Sequence, residues 1–364
     1  MIKKLLLVTL FDEANIGNRL QNYALQKVIE NYGVEVTTLD NFYTRKISVM
    51  NRIKYFVKKC LIYFGHQKYV RECKNYVAIK RRKKSIKKFN KNNISMVKQV
   101  TNQQAFHMDW SCYDMAIAGS DQIWHKWRTD EEELPFYYLQ FFPLEKRASY
   151  AASFGFESFP LQDIEQHREG LLGMRYISCR EERGCTLVKE LIGKEVPRVL
   201  DPTLLLKAQE WRNIEQQASS FSKTQENYAF LFFLGDISEE YKEYIKSVMV
   251  KNGIKKLIDF EDKQIGACGP CEFLSFIDRA QYVFTDSFHC TVFSVIFDKK
   301  FTAFRRIQPG FENMFGRIED LLASTNKLHH IYGGTLQKPK NNFDELYQDS
   351  IRYIESVLGI KNEN

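Results

Sequence analysis

Apolar and polar positions at the start of the chain read as strand, helix, strand. Residues 5–10 form a nearly continuous apolar run, the pattern of a parallel strand covered on both faces. Leu20, Ala24, Leu25, Val28, Ile29 and Tyr32 then recur at helical spacing, and Gly33 follows as a helix C-cap. Residues 34–39 alternate into a second strand. Four further short strands are predicted, and each ends on a polar cluster. Strand 113–118 runs into Gly119, Ser120 and Asp121, and strand 147–152 into Ser153, Phe154 and Gly155. Strand 176–179 runs into Arg180 and Glu181, and strand 196–200 into Asp201 and Pro202.

A second alternating set begins near Tyr228. It reads as strand 229–234, helix 238–251, strand 256–260, helix 270–280, strand 282–285, a helix opened by residues 286–289 and running through Phe297, and strand 301–304. Pro270 suits the first turn of its helix. The tail at 343–358 is one amphipathic helix. The economical fold class is α/β: two Rossmann-like doubly wound domains facing a cleft, followed by a C-terminal helix. The expected limits are 1–204 for the N-terminal domain, with a basic helical insertion at about 43–91, then 205–335 for the C-terminal domain and 336–364 for the helix.

Composition narrows the class. Of 364 residues, 44% are hydrophobic and 27% charged, which excludes global disorder. No run approaches the roughly 18 apolar residues of a membrane span. The N-terminal apolar run lacks a small-residue cleavage site and reads as a buried strand rather than a signal peptide. Eight cysteines scattered through a chain of this size argue against a disulfide framework, so a cytoplasmic enzyme is expected.

Charge is unevenly distributed. Residues 43–91 carry 17 lysines or arginines and one acid, Glu72, a net +16, while the whole chain is +8, leaving −8 elsewhere. Ile47, Met50, Ile53, Val57, Cys60, Leu61 and Phe64 fall near helical spacing within this segment. Two readings stay open: solvated helices packed on the first sheet, or a patch resting on an anionic membrane face. Nucleic acid is not expected, because no nucleic-acid module accompanies the charge.

In open α/β sheets the ligand crevice lies beyond the carboxyl ends of the strands, where these polar clusters fall. His289 stands in the first turn of a helix just past a strand end, where backbone N–H groups favour an anion. An imidazole there can donate to that anion or move a proton near neutral pH. Asp286 and Ser287 serve equally as N-caps or site residues. Arg180 can grip a carboxylate or phosphate in a forked geometry, or pair with Glu181 or Glu182. Asn18 and Arg19 open the first helix at its positive end. Ser120, Asp121 and Gln122 can bind sugar hydroxyls or form a plain turn, and Ser153 ends a neighbouring strand. The first turn lacks the full glycine fingerprint of dinucleotide binders, so no NAD site is predicted. Cys268 and Cys271 form a lone Cys-x-x-Cys without a second ligand pair, so neither a metal site nor a redox role is expected.

Six segments, taken in order, resemble the polysaccharide pyruvyl transferase family. They are NIGNRLQNYALQ at 15–26, GSDQIW at 119–124, YAASFG at 150–155, SCREE at 178–182, DPTLL at 201–205 and TDSFHCT at 285–291. The resemblance implies a GT-B-like fold, with the N-terminal domain on the acceptor side and the C-terminal domain on the donor side. It implies transfer of a pyruvyl group from phosphoenolpyruvate to two hydroxyls of a sugar, as a cyclic ketal, in building a bacterial surface polysaccharide or exopolysaccharide. Phosphoenolpyruvate is then a donor substrate, and no cofactor is expected. His289 and Arg180 match the family's donor-holding histidine and arginine. Ser287 stands where some relatives carry an arginine, and Cys290 where glycine is usual. Asn18 and Asp121 are assigned to the acceptor or the cleft. A lipid-linked acceptor would join the enzyme reading to the basic segment, at the inner face of the membrane. Alternatives are a GT-B glycosyltransferase using a nucleotide sugar, or a non-catalytic polysaccharide-assembly protein.

Overall fold

The structure is a computed structural model that describes residues 2–10, 15–42, 67–127, 131–223, 226–260, 262, 265, 268–308 and 315–360. The apolar positions at 47–64 lie outside the described residues.

The first sheet contains β1 (Lys4–Val8), β2 (Glu35–Phe42), β3 (Met96–Thr101), β4 (Met115–Asp121) and β5 (Arg147–Ala152). All pairings are parallel, in the order β3-β2-β1-β4-β5. Helix α1 (Ile16–Glu30) packs on one face. Leu5, Leu6, Leu7 and Val8 are fully buried, as their unbroken apolar run requires. Each such side chain contributes roughly 1.5–3 kcal/mol of burial. Strand β3 was not anticipated from the sequence. Conversely, segments 176–179 and 196–200 form only isolated parallel bridges, Ala148 to Tyr176, Ala152 to Cys179 and Cys179 to Arg198.

Helix α2 (Gln67–Asn93) leads into β3. Near its C-terminal end it buries Ile86 and Phe89. There the guanidinium of Arg82 donates to the Phe260 carbonyl at 3.3 Å and lies 4.9 Å from that ring's centroid. The C-terminal part of α2 is thus tied to both halves of the molecule, with Lys80, Arg81, Lys84, Lys88 and Lys91 left exposed. Helices α3 (Ile164–Leu172) and α4 (Glu182–Ile192) follow β5, and α5 (Ala208–Glu215) leads to the second sheet.

That sheet is β6 (Tyr228–Phe232), β7 (Lys256–Asp259), β8 (Tyr282–Thr285) and β9 (Phe301–Ala303), again all parallel, ordered β7-β6-β8-β9. Its helices are α6 (Glu239–Lys251), α7 (Pro270–Arg279), α8 (Phe288–Ile296) and α9 (Gly316–Ser324). The last helix, α10 (Phe343–Leu358), returns to the first sheet. The Tyr353 hydroxyl donates to the Ser149 carbonyl at 2.7 Å, and the Leu200 N–H donates to Ser350 Oγ at 2.8 Å.

Strand order reverses between β1 and β4 in the first sheet and between β6 and β8 in the second. Such switch points open a crevice at the carboxyl ends of the flanking strands. The residues at the carboxyl ends of β1, β4 and β8 supply part of the candidate site, and those after the bridging segments 176–179 and 196–200 supply its centre.

Candidate active site

Helix α1 brings its first turn to the crevice. Asn15 caps it, its side chain accepting from the Asn18 N–H at 3.2 Å. Gly17 lies against the His289 ring: a Cβ there would fall 2.3 Å from Nδ1, so no larger residue fits without displacing the imidazole. Asn18 Nδ2 donates to Asp121 Oδ2 at 2.5 Å. One turn on, Gln21 Oε1 accepts from the Ser120 N–H at 2.9 Å. A single helix face therefore fixes both His289 and the carboxyl end of β4, where residues 119–121 are strand rather than the turn their sequence allows. That strand end pairs closely with β5. Gly119, with φ +149°, has the Tyr150 carbonyl oxygen 2.1 Å from where a Cβ would sit.

Arg180 and Asp201 form the centre. Arg180 Nη1 donates to Asp201 Oδ2 at 2.8 Å and Nη2 to Asp121 Oδ1 at 3.0 Å, while Nε lies 3.7 Å from Glu181 Oε2. Asp201 Oδ1 accepts from the Thr203 N–H at 3.1 Å and hydroxyl at 2.6 Å. Asp201 Oδ2 also accepts from Ser120 Oγ at 3.4 Å and lies 3.8 Å from His289 Nε2. The imidazole and the guanidinium, 109 positions apart in the chain, thus meet at one carboxylate oxygen.

The second sheet holds His289 through a capped helix. Ser287 caps α8, its Oγ accepting from the Cys290 N–H at 3.5 Å. Asp286 joins two strand ends: Oδ1 accepts from the Leu234 N–H at 2.7 Å and Oδ2 from the Gly235 N–H at 2.8 Å. Arg306 Nε lies 3.4 Å from the same Oδ2. Asp286 and Ser287 shape the strand–helix junction and the helix end. Ser153, fully buried, donates its N–H to the Asp121 carbonyl at 2.9 Å. Gln122 lies beneath Gly155, and its carbonyl accepts from Trp127 Nε1 at 3.2 Å.

Sequence reading passed over several residues at this centre. Arg317, in the first turn of α9, places Nη1 3.6 Å from Asp121 Oδ1. The guanidinium carbons of Arg180 and Arg317 lie 4.5 and 5.5 Å from the Phe288 ring centroid. Asp201 reads in sequence as a polar residue at the end of 196–200 and within a family segment, with no role given to it, while Gln21 and Arg317 have no local pattern that marks a role, because their partners are far away in the chain.

Burial and charge set the protonation states. Burial would raise Asp121, but Arg180, His289 and Arg317 outweigh it and hold the carboxyl at about 2. Burial lowers His289, against the pull of Asp201 and Asp121, so the imidazole is neutral near pH 7. Burial raises Glu181, in spite of Arg180 and Arg317 nearby. Burial pushes both thiols of the Cys-x-x-Cys up to about 12, the opposite of a reactive redox cysteine.

Two parallel sheets facing a crevice of arginines, carboxylates and one histidine define a GT-B-like protein. Solved structures of the same architecture include a Listeria monocytogenes protein assigned as a UDP-N-acetylglucosamine 2-epimerase, with TM-score 0.51, 10% identity, and 99% of this chain and 91% of that chain covered. Another is the UDP-GlcNAc 2-epimerase of Methanocaldococcus jannaschii, with TM-score 0.50, 12% identity, and 99% and 94% covered. At that identity the likeness is one of fold. No curated protein matches the sequence. Residues 15–306 match the family model of polysaccharide pyruvyl transferase, and the chain belongs to that transferase family.

Proposed function

We propose that this protein transfers a pyruvyl group from phosphoenolpyruvate to two hydroxyls of a saccharide, releasing phosphate and leaving a cyclic ketal. The observation that carries the reading is the meeting of Arg180 and His289 at Asp201 Oδ2, within the residues matched by the family.

In the reaction a proton adds to the vinyl carbon of the donor, leaving cationic character on the adjacent carbon. A sugar hydroxyl oxygen bonds to that carbon and loses its proton. The bond from carbon to the phosphate oxygen breaks, and phosphate leaves with the electron pair. The second hydroxyl then bonds to the same carbon and loses its proton. His289 holds the donor and moves one of these protons. It is neutral in the free protein, and a multiply charged anion beside it favours its protonated form. A group in that role contributes roughly 10²–10⁴-fold. Arg180 faces the donor anion and holds Asp121 and Asp201 in place. Asn18 and Asp121, with Ser120, Gln122 and Ser153 behind them, face the acceptor. Asp286 and Ser287 support the helix end that carries His289.

The test is phosphate release from phosphoenolpyruvate against a panel of free and lipid-linked oligosaccharides. Turnover by the wild type and its loss in His289→Ala support the assignment, and full turnover by that variant overturns it. Thermal shift with phosphoenolpyruvate and with nucleoside diphosphates separates this chemistry from nucleotide-sugar transfer, since the true ligand raises apparent stability.

The saccharide is taken to be a precursor of a bacterial surface polysaccharide, met at the cytoplasmic face of the membrane. The exposed cations of α2 support this placement, each worth about 1 kcal/mol beside an anionic surface. No helix among the described residues is long and apolar enough to cross a membrane. Sedimentation with anionic vesicles tests the contact. Salt-sensitive binding that is lost on Lys84→Glu/Lys88→Glu/Lys91→Glu supports it, and binding indifferent to those changes overturns it.

A further inference from the structure

The cations at the centre differ in how they are balanced. Arg180 has two carboxylates at hydrogen-bond distance, at 2.8 and 3.0 Å. Arg306 has Asp286 at 3.4 Å. Among the described residues Arg317 reaches no carboxylate nearer than Asp121 Oδ1, at 3.6 Å, and that oxygen already accepts from Arg180. Its Nε is buried with no hydrogen-bond partner among the described residues, and His289 Nε2 is in the same condition. Both guanidiniums also crowd a single ring, that of Phe288.

We propose that Arg317 is the second guanidinium of the donor site, taking an oxyanion of the donor between itself, Arg180 and His289. The inference rests on the pyruvyl-transfer reading. An arginine sharing one carboxylate oxygen with another arginine has fork donors left for a ligand, and planar oxyanions match that fork. An anion placed there would offset the repulsion between the two guanidiniums. It would also give partners to two buried nitrogens that lack them, each of which otherwise carries a desolvation cost. Burial, and then the neighbouring Arg180, lower Arg317 to about 10, consistent with this crowding and still leaving it charged at neutral pH.

The donor carries two kinds of oxyanion, and calorimetric titration of the full chain with phosphoenolpyruvate, pyruvate and inorganic phosphate distinguishes them. Arg317→Met should weaken phosphoenolpyruvate binding about 10–100-fold, the range for a hydrogen bond to a charged group. It should weaken in parallel whichever of pyruvate or phosphate presents the contacted end. Arg317→Lys keeps the charge without the fork and should bind at an intermediate level. Its affinity should also fall away at lower pH than that of the wild type, because a buried ammonium loses its proton more readily than a guanidinium. A purely structural role for Arg317 would not move that pH profile. Wild-type affinity for phosphoenolpyruvate in Arg317→Met, with binding still lost in His289→Ala, would overturn this inference alone. A wild-type protein that binds none of the three anions would overturn it together with the reading beneath it.

Discussion

Gly17 gives a sharp test of how the site is built, because two effects of opposite sign meet there. Alanine in a helix is favoured over glycine by roughly 0.5–1 kcal/mol, so Gly17→Ala on an open face would stabilise the protein. Here the new methyl carbon would lie 2.3 Å from His289 Nδ1 and 2.7 Å from Cγ. Such contacts are not tolerated, so the ring or the helix must shift, at a cost of about 1–3 kcal/mol for overpacking. The crowding therefore wins or nearly cancels the gain, and Gly17→Ala should leave stability unchanged or lower it by up to about 2 kcal/mol. The same shift should cost on the order of 10²-fold in donor turnover, the scale of an ångström-sized misplacement. Removing the ring removes the obstacle. In a His289→Ala background, Gly17→Ala should instead raise stability by a few tenths to about 1 kcal/mol. Urea unfolding of the four proteins forms a double-mutant cycle, and a coupling of about 1 kcal/mol or more is expected. Additive effects, or a Gly17→Ala protein with undiminished phosphate release, would refute the packing of α1 on the imidazole.

Other predictions follow from the buried charges. Asp201→Asn keeps the shape but removes one charge paired with Arg180, and should cost roughly 3–5 kcal/mol, read as a lower urea midpoint at unchanged slope. The depressed Asp121 contributes stability that is complete above the ordinary carboxylate value of 3.8 and is lost as pH falls toward about 2. Asp121→Asn should flatten the acid-unfolding profile over that window. Because His289 is lowered in the free protein, donor binding should take up a proton. Protonation of the ligand's own phosphate, whose pKa is about 6, weakens binding as pH falls from 8 toward 6. Proton uptake at His289 should oppose that loss, so phosphoenolpyruvate affinity should fall less than the ligand's titration alone requires, or rise. His289→Gln should show the ligand's titration alone, and an identical profile in both proteins would contradict the linkage.

Much of this architecture was legible in the order of strands and helices. Strands 147–152 and 282–285 and helix 343–358 fall where the apolar spacing predicts them. Strand β3 did not stand out because it lies at the sheet edge and carries Lys98 and Gln99, which break the alternation. Segments 176–179 and 196–200 extend the sheet only through single bridges, the second being interrupted by Pro197, which has no N–H for a ladder. His289 could be found from its place at a strand–helix junction, where the anion chemistry of a helix start is local. Arg180 was legible as a forked cation, but the pairing with both Asp121 and Asp201 was not, since each carboxylate comes from a different strand end. Arg317 lies in α9, a helix the sequence pattern did not reveal, and no motif around it marks a role. Only the fold sets it beside Phe288 and Asp121.

The most direct measurement is a crystal structure of the chain with phosphoenolpyruvate bound. The donor should lie in the crevice between the two sheets, with one oxyanion on Arg180 or Arg317 and an oxygen within hydrogen-bond distance of His289 Nε2. Density for the donor elsewhere on the molecule, with the Arg180–Asp201–His289 cluster left untouched, would contradict the account.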